Sequence, residues 1–402
     1  MREAGVAGEI ALLGLSLCLK RRVGSDMKPL AVAAWSMVTP LGEDDATINA
    51  LFEQRSAFSP QTSRWTLRNT RSAVVPQRPA HAACDGRWQR YLATYVARKV
   101  LDTLSIHPQQ QQPDRCAFVF ATSYGHLIDD AGSDTMSTWA TDCVRSLRCD
   151  LDPIVVGSGC SSGADALGVA AAMLDCGTID TAIVVAVDIV TAAKRLAHST
   201  LGTMSVGDHK PFDINRSGML LGEASAAVVL MRSEDCSEHR GELLGIGASN
   251  DAFGLTSPDP SGLSVRLALD RALLAAELSY GDLALYLAHG TGTQLNDDLE
   301  AKVVEEVFAN NQILTIVGTK GALGHSLGAC GLVEFILLLQ MLNRRFAPGT
   351  VGLTDPIASI SARFPGPTGR PLSGSYGVSV TLGFGGFNTA LIGRGDYKCA
   401  HA

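Results

Sequence analysis

The chain alternates between short apolar runs of strand length and longer segments with helical spacing of their apolar residues. In runs such as VVAV the apolar residues are consecutive, which is typical of strands buried on both faces of a sheet. This pattern predicts a layered α/β protein. The predicted strands cover residues 116–123, 153–159, 181–188, 225–231, 242–251, 283–290, 314–320, 376–383 and 388–394.

One arrangement occurs twice: a strand, a turn of small residues and a helix that is apolar on nearly every face. The first copy leads into a helix at 161–175 that Gly177 closes, and the second leads into "LVEFILLLQMLNRR". Two similar halves that bury these helices between sheets predict a five-layered α-β-α-β-α plan. We assign the halves to residues 28–243 and 244–396, packed as one compact unit.

Composition narrows the function classes. Of 402 residues, 46% are apolar and 18% are charged, which predicts a large buried core. The net charge of −7 argues against nucleic acid as a partner, because phosphate binding needs a basic face. The apolar run near the N-terminus is too short to span a bilayer, and its charges follow it, unlike a secretory signal. We therefore expect no membrane span, a cytoplasmic location, and an N-terminal extension over 1–27 before the true start near Met27.

The stretch "VVGSGCSSGADALG" offers two nucleophiles. Cys160 lies where a strand ends and a helix begins, so unpaired amide groups there favour a thiolate and an oxyanion. Gly159-x-Ser161-x-Gly163 also matches the elbow of serine hydrolases. A hydrolase needs an acid and a histidine after the serine, and nothing in the sequence singles out such a pair. The residues alone leave both nucleophiles open.

Three later stretches carry polar residues at turns. In "HGTGTQLND", His289 ends an apolar strand, and Thr291 and Thr293 offer hydroxyls to the polar arm of a ligand. In "GTKGALGHSLGACGLVEF", Lys320 and His325 are separated by small residues. A charge at Glu334, inside an apolar helix, is costly unless it is paired, so we expect an ion pair with Lys320.

The last stretch, "VTLGFGGFNTAL", is a strand, a tight Gly-Phe-Gly-Gly bend that presents Phe384, and a second strand. One cysteine, two histidines and this turn, in that order, resemble the β-ketoacyl-acyl carrier protein synthases of the thiolase superfamily. The similarity runs from about Lys28 to Arg394 and includes "KPFDINRSGMLLGEASAAVVL". The resemblance implies a thiolase-like form of the five-layered plan, and the two histidines select its Cys-His-His branch.

The resemblance also implies roles for individual residues. Cys160 would take an acyl chain from a carrier thioester, and the amides of Cys160 and Phe384 would hold the oxyanion. His289 and His325, neutral and donating from Nε2, would stabilise the enolate that forms when a malonyl-carrier thioester loses carbon dioxide. Thr291 and Thr293 would contact the phosphopantetheine arm.

Phe384 would also act as a gate, with Lys320 and Glu334 in supporting positions. No metal or dissociable cofactor is implied, because decarboxylation drives the condensation and phosphopantetheine arrives on the carrier protein.

The implied partners are an acyl carrier protein and a second subunit, in a homodimer or in a heterodimer with a related ketosynthase or chain-length factor. Between "FATSYG" and Cys160 the chain is shorter than in typical family members, which favours a specialised synthase in polyene or polyketide assembly. The alternative is a non-catalytic chain-length-factor-like subunit. Carrier proteins are acidic, so we expect a basic patch. Its candidate residues are Arg87, Arg90, Lys194 and Arg195.

Overall fold

The computed structural model describes residues 27–82, 84–104, 115–123, 129 and 135–396. The predicted extension over residues 1–27 lies outside them, apart from Met27. The strands are β1 (Leu30–Thr39), β2 (Gly42–Glu43), β3 (Ser59–Pro60), β4 (Arg71–Ser72), β5 (Cys116–Ala121), β6 (Ile154–Val156), β7 (Thr181–Asp188), β8 (Ala224–Arg232), β9 (Glu242–Asn250), β10 (Leu283–Leu287), β11 (Thr315–Val317), β12 (Phe346–Ala347), β13 (Arg370–Pro371), β14 (Tyr376–Gly383) and β15 (Phe387–Arg394).

The helices follow the same order along the chain. They are α1 (Asp45–Phe52), α2 (Asp85–Thr103), α3 (Met136–Ser146), α4 (Ser162–Asp175), α5 (Ala192–Thr200), α6 (Leu263–Ala275), α7 (Gln294–Val307), α8 (Lys320–Leu323) and α9 (Cys330–Arg344). A 3₁₀ turn precedes each of α4 and α9, at Gly159–Ser161 and Leu327–Ala329. The helix predicted at 161–175 is confirmed, and Gly177 follows its end with a φ of 66°.

Among the described residues the main sheet has eleven strands: two sets of five with the same topology, and β2, which pairs with the end of β1. Its order is β11-β10-β14-β15-β9-β1-β8-β7-β5-β6, and each set has two parallel pairings followed by two antiparallel pairings. The sets meet where Leu30 and Ala31 pair with Leu243 and Glu242. The second set begins with β9, and the assigned division at 243/244 stays a prediction.

Three apolar clusters fill the spaces between the layers. One joins α2 and α3 to one face of the first five strands, and another joins α6 and α7 to one face of the second five. The largest cluster surrounds α4 and α9, which lie between the two sets of strands. The predicted five-layered plan is therefore confirmed.

Helices α4 and α9 cross at close range. A Cβ atom at Gly163 would lie 2.9 Å from the backbone nitrogen of Leu332, and one at Gly331 would lie 2.8 Å from that of Ala164. A side chain at either glycine would force the helices apart, since these distances are shorter than van der Waals contact. This crossing brings the turns that precede the two helices together.

The segment Leu327–Arg344 is apolar and long enough to cross a membrane, but 89% of it is buried inside the fold. It is the core helix α9 and the turn before it. Three predicted strands, β6, β10 and β11, end three residues earlier than expected, because the residues after Val156, Leu287 and Val317 form the turns described next.

Candidate active site

Cys160 lies in the 3₁₀ turn between β6 and α4. Gly159 has a φ of 62°, which a glycine adopts without strain. Asp165, in the first turn of α4, accepts hydrogen bonds from the hydroxyls of Ser158 and Ser161, and its other oxygen accepts one from Thr389 on β15 at 2.5 Å. These bonds fix the turn against the second half of the fold.

The two candidate nucleophiles have different surroundings in the structure. Ser161 is fully buried, and its hydroxyl is engaged by Asp165 at 2.6 Å and by the carbonyl of Ser158 at 3.1 Å. Cys160 is 5% exposed and lines a cleft that also contains His289 and His325. The sulfur of Cys160 is thus the more accessible of the two atoms, whereas the buried hydroxyl of Ser161 does not suit the hydrolase alternative. That Cys160 is the nucleophile stays a prediction.

His325 contacts this sulfur, with Nε2 3.2 Å from Sγ. The N–H of Leu327 donates to Nδ1 of His325 at 3.3 Å. Because Nδ1 accepts this bond, the ring proton of the neutral histidine lies on Nε2. The N–H group at Nε2 therefore points at the sulfur of Cys160.

His289 follows β10 and stands perpendicular to His325, with ring centroids 5.2 Å apart. The ammonium of Lys320 lies 3.4 Å from Nδ1 of His289 and donates to its carbonyl at 2.5 Å. A donor at Nδ1 again leaves the proton on Nε2. Burial, and then the charge of Lys320, hold the pKa of both histidines well below the usual range, so both are neutral donors.

Lys320 forms the expected ion pair with Glu334, at 2.6 Å, and Thr319 donates to the same carboxylate oxygen at 2.9 Å. Both charged residues are buried behind His289 and neither lines the cleft. Burial alone would lower the pKa of Lys320, but the carboxylate of Glu334 raises it, so the ammonium keeps its charge. The pair supplies a fixed donor to His289.

Ligand atoms of His289, Cys330 and Glu334 lie within 4.8 Å of one another. The ammonium of Lys320 lies among them and opposes a second cation through like-charge repulsion. Cys330 packs against Cys160, and its thiol is directed at the carbonyl of Cys160 at 3.4 Å. The contacts of Cys330 are those of a packing residue. The prediction that the protein requires no metal stays a prediction.

Phe384 begins the turn between β14 and β15. The next two residues, Gly385 and Gly386, have φ values of 84° and 79°, and a Cβ atom at Gly386 would lie 2.2 Å from Oδ1 of Asp251. Only glycine fits this bend, which carries the Phe384 amide to the sulfur of Cys160. This geometry suits the proposed oxyanion role.

The ionisation of Cys160 differs from the expectation of a thiolate at rest. Burial raises the pKa of its thiol to about 11, while the N–H groups of Phe384 and Cys160 and the charge of Lys320 lower it. Burial is the largest of these effects, so the resting group is a thiol.

Thr291 and Thr293 both line the cleft, and their hydroxyls are hydrogen-bonded to each other at 2.8 Å. His209 fixes this loop by a 2.7 Å bond between Nε2 and the carbonyl of Thr291. Asp297 accepts from the N–H of Gly292 at 3.1 Å. Sequence reasoning missed both residues, although Asp297 ends the quoted "HGTGTQLND" and His209 directly precedes "KPFDINRSGMLLGEASAAVVL".

Glu300 was also missed, and it accepts four hydrogen bonds behind His289. The donors are the N–H groups of His289 and Gly290, the hydroxyl of Tyr286 and the amide of Asn296, at 2.6 to 3.2 Å. Burial raises the pKa of Glu300 to about 7, against the lowering effect of the donors. The sequence signal that could have identified Glu300 is its position on α7, one helical turn after Asn296.

The cleft has a volume of about 510 Å³ and connects these groups to the surface. Arg68, Leu201 and Leu295 lie at its exposed end. The predicted site residues that line it are Cys160, His289, Thr291, Thr293, His325 and Phe384.

Two of the residues expected to form the basic patch for a carrier protein do not lie on the surface. Lys194 and Arg195 are buried, because Lys194 pairs with Asp188 and Arg195 donates to backbone carbonyls. Their prediction as surface cations is wrong, since α5 turns both side chains inward. Arg87 and Arg90 line a separate groove on α2 that shares no lining residue with the cleft.

Comparisons with known proteins agree with this geometry. The chain matches the family "Beta-ketoacyl synthase, N-terminal domain" over residues 152–236 and "Beta-ketoacyl synthase, C-terminal domain" over 240–354. It is 34% identical over 247 residues to 3-oxoacyl-[acyl-carrier-protein] synthase 2 of Mycobacterium leprae (strain TN). That alignment covers 58% of this chain and 58% of the relative.

Solved structures show the same fold. A β-ketoacyl synthase from Burkholderia phymatum STM815 superimposes with a TM-score of 0.79 at 23% identity, over 92% of this chain and 100% of that one. A chain of the ketosynthase (ApeO) in complex with its chain length factor (ApeC) from Xenorhabdus doucetiae gives 0.78 at 24% identity, over 92% and 98%. The chain belongs to the β-ketoacyl synthase family of the thiolase superfamily.

Proposed function

We propose that this chain is an active β-ketoacyl synthase that extends an acyl group held on Cys160 by decarboxylative Claisen condensation with a malonyl-carrier thioester. The observation that carries the proposal is the contact of 3.2 Å between Nε2 of His325 and the sulfur of Cys160, with His289 perpendicular to His325 at 5.2 Å. Two neutral N–H donors thus line the same cleft as Cys160.

The first step transfers the acyl group from the carrier to Cys160. The sulfur attacks the thioester carbonyl, and the oxyanion is held by the N–H groups of Cys160 and Phe384. The carrier thiolate leaves and takes up the proton that Cys160 has lost. Since burial keeps Cys160 protonated at rest, this proton must leave as the carbon–sulfur bond forms.

The second step uses the two histidines. When malonyl-carrier loses carbon dioxide, the electron pair of the broken carbon–carbon bond moves to the thioester oxygen, where both Nε2–H groups donate. The enolate carbon then attacks the acyl-Cys160 carbonyl, and the Cys160 thiolate leaves. Decarboxylation supplies the driving force, so the proposed reaction uses neither a metal nor a redox cofactor.

The proposed partner is an acyl carrier protein in the cytoplasm, which delivers its phosphopantetheine arm past Thr291 and Thr293. Arg68 supports this proposal because it is exposed at the open end of the cleft, where an acidic carrier would dock. The relative from Mycobacterium leprae is named for an acyl-carrier-protein substrate. A specialised substrate, such as a polyene or polyketide intermediate, and a homodimeric or heterodimeric assembly complete the proposal.

A chain-length-factor-like subunit is the second candidate, favoured by the similarity to a ketosynthase complex that contains a chain length factor. Incubation with an acyl-carrier thioester, followed by mass spectrometry, separates the two. The enzyme forms an acyl adduct on the wild type but none on Cys160→Ala, and it condenses the adduct with malonyl-carrier. A folded wild type without an adduct favours the partner subunit.

A further inference from the structure

A buried ion pair lies beside the active site and takes no part in the proposed steps. Lys194, in the first turn of α5, is 3% exposed and pairs with Asp188 at the end of β7. Its ammonium also donates to the carbonyl of Ile189 at 3.0 Å. Removing two charges from water is expensive, and such a pair is often no more stable than apolar residues of the same size. Stability alone therefore does not explain why this ion pair lies beside the active site.

The carboxylate of Asp188 is hydrogen-bonded to groups in three other segments of the chain. While Oδ1 meets Lys194, Oδ2 accepts the N–H of Ser123, after β5, and the N–H of Gly328, both at 2.8 Å. Gly328 lies so close that a Cβ atom there would be 2.5 Å from the nitrogen of Ser123. The carboxylate thus anchors the 3₁₀ turn before α9 to the first five strands.

That turn carries the group that orients His325. Leu327, directly before Gly328, donates its N–H to Nδ1 of His325 at 3.3 Å. Leu327 has a φ of 47°, a left-handed conformation that leucine rarely adopts unless its surroundings impose it. The bond from the N–H of Gly328 to Asp188 is made by the next residue along the chain.

We propose that Asp188 is a positioning residue, which holds the turn at Leu327 so that Nδ1 of His325 accepts and Nε2 donates to the thioester oxygen. The proposal rests on the proposed function. Lys194 balances the charge of the carboxylate, so that two backbone donors can be bound in the interior. Without this anchor the turn relaxes, Nδ1 loses its donor, and the Nε2–H tautomer is no longer selected.

The test uses the full chain with Asp188→Asn and with the double variant Asp188→Asn/Lys194→Met, which removes both charges together. Acylation of Cys160 and decarboxylation of malonyl-carrier are measured separately. We expect decarboxylation to fall roughly tenfold or more, the scale on which small misplacements act, while acylation changes much less. Nitrogen-15 spectra of the histidines report the fraction of His325 in the Nε2–H tautomer, which a purely structural role would not change.

Glu242→Gln is the matched control, because Glu242 is a buried carboxylate paired with Arg394 away from the cleft. It should leave the ratio of the two rates unchanged. Adding Leu327→Gly to Asp188→Asn should restore part of the decarboxylation rate, since glycine adopts a positive φ without strain.

Equal losses of both rates in folded Asp188 variants, or an unchanged His325 tautomer, would overturn the proposal. If Asp188→Asn alone does not fold, because it leaves Lys194 as an unpaired buried charge, the double variant decides, since it removes both charges. A wild type that neither acylates nor decarboxylates would instead contradict the proposed function.

Discussion

The thiol of Cys160 should ionise only at high pH. Burial raises its pKa to about 11, about four units above neutral pH, so the thiolate lies about 5 kcal/mol above the thiol and forms in about one molecule in 10⁴. Below its pKa, the thiolate fraction grows about tenfold with each pH unit. The rate of alkylation of Cys160 by iodoacetamide, followed by mass spectrometry from pH 7 to 10, should therefore rise about tenfold per unit without levelling off.

The comparison variant is Phe384→Ala. It keeps the backbone N–H groups at the sulfur but removes a ring that lines the same cleft as Cys160. More water should then reach the sulfur, and the alkylation profile should level off at a lower pH. Cys160→Ala gives the background from the other cysteines. A wild-type profile that levels off between about pH 8 and 9, as for a free cysteine, would refute the argument that burial outweighs the amide donors.

Three substitutions test the groups behind the histidines and the Phe384 turn. Lys320→Met should lower the free energy of unfolding by about 3–5 kcal/mol, because Glu334 is left as an unpaired buried charge. Adding Glu334→Leu should restore stability to urea denaturation while decarboxylation stays low. Glu300→Gln should lower the free energy of unfolding by about 1–3 kcal/mol, since the amide turns a donor toward backbone N–H groups. Gly386→Ala should cost about 1–3 kcal/mol in backbone strain, increased by contact with Asp251, and lower Tm.

Each of these expectations has a contrary outcome. Full decarboxylation in the Lys320/Glu334 double variant would show that Lys320 serves stability and not His289. A Glu300→Gln protein as stable as the wild type would show that water replaces the lost acceptor. An unchanged Tm for Gly386→Ala would show that the turn relaxes freely.

The fold was predictable because its determinants are local. Consecutive apolar residues mark strands buried on both faces, and the all-round apolar helices α4 and α9 have no stable position except between two sheets. The repeat was visible for the same reason, since each half runs strand, small-residue turn and buried helix. The lengths of β6 and β11 were wrong because the polar residues that follow them leave the sheet to build the site.

The site itself was only partly predictable. Cys160, His289 and His325 stand in turns of small residues, a signal that sequence carries directly. The supporting groups depend on contacts between distant segments, such as the bond from Asp188 to Gly328. Lys194 shows the limit most clearly, because a lysine on a short helix suggests a surface charge, and only the fold places it beside Asp188.

The most direct test of the account is the fate of an acyl group offered to the wild-type chain. After incubation with an acyl-carrier thioester and then malonyl-carrier, mass spectrometry should first show the acyl group on Cys160. The group should then leave as a β-ketoacyl carrier product with release of carbon dioxide, and Cys160→Ala should show neither event. Condensation that persists without Cys160, or a folded wild type on which no acyl group forms, would contradict the assignment of Cys160 as the nucleophile of a condensing enzyme.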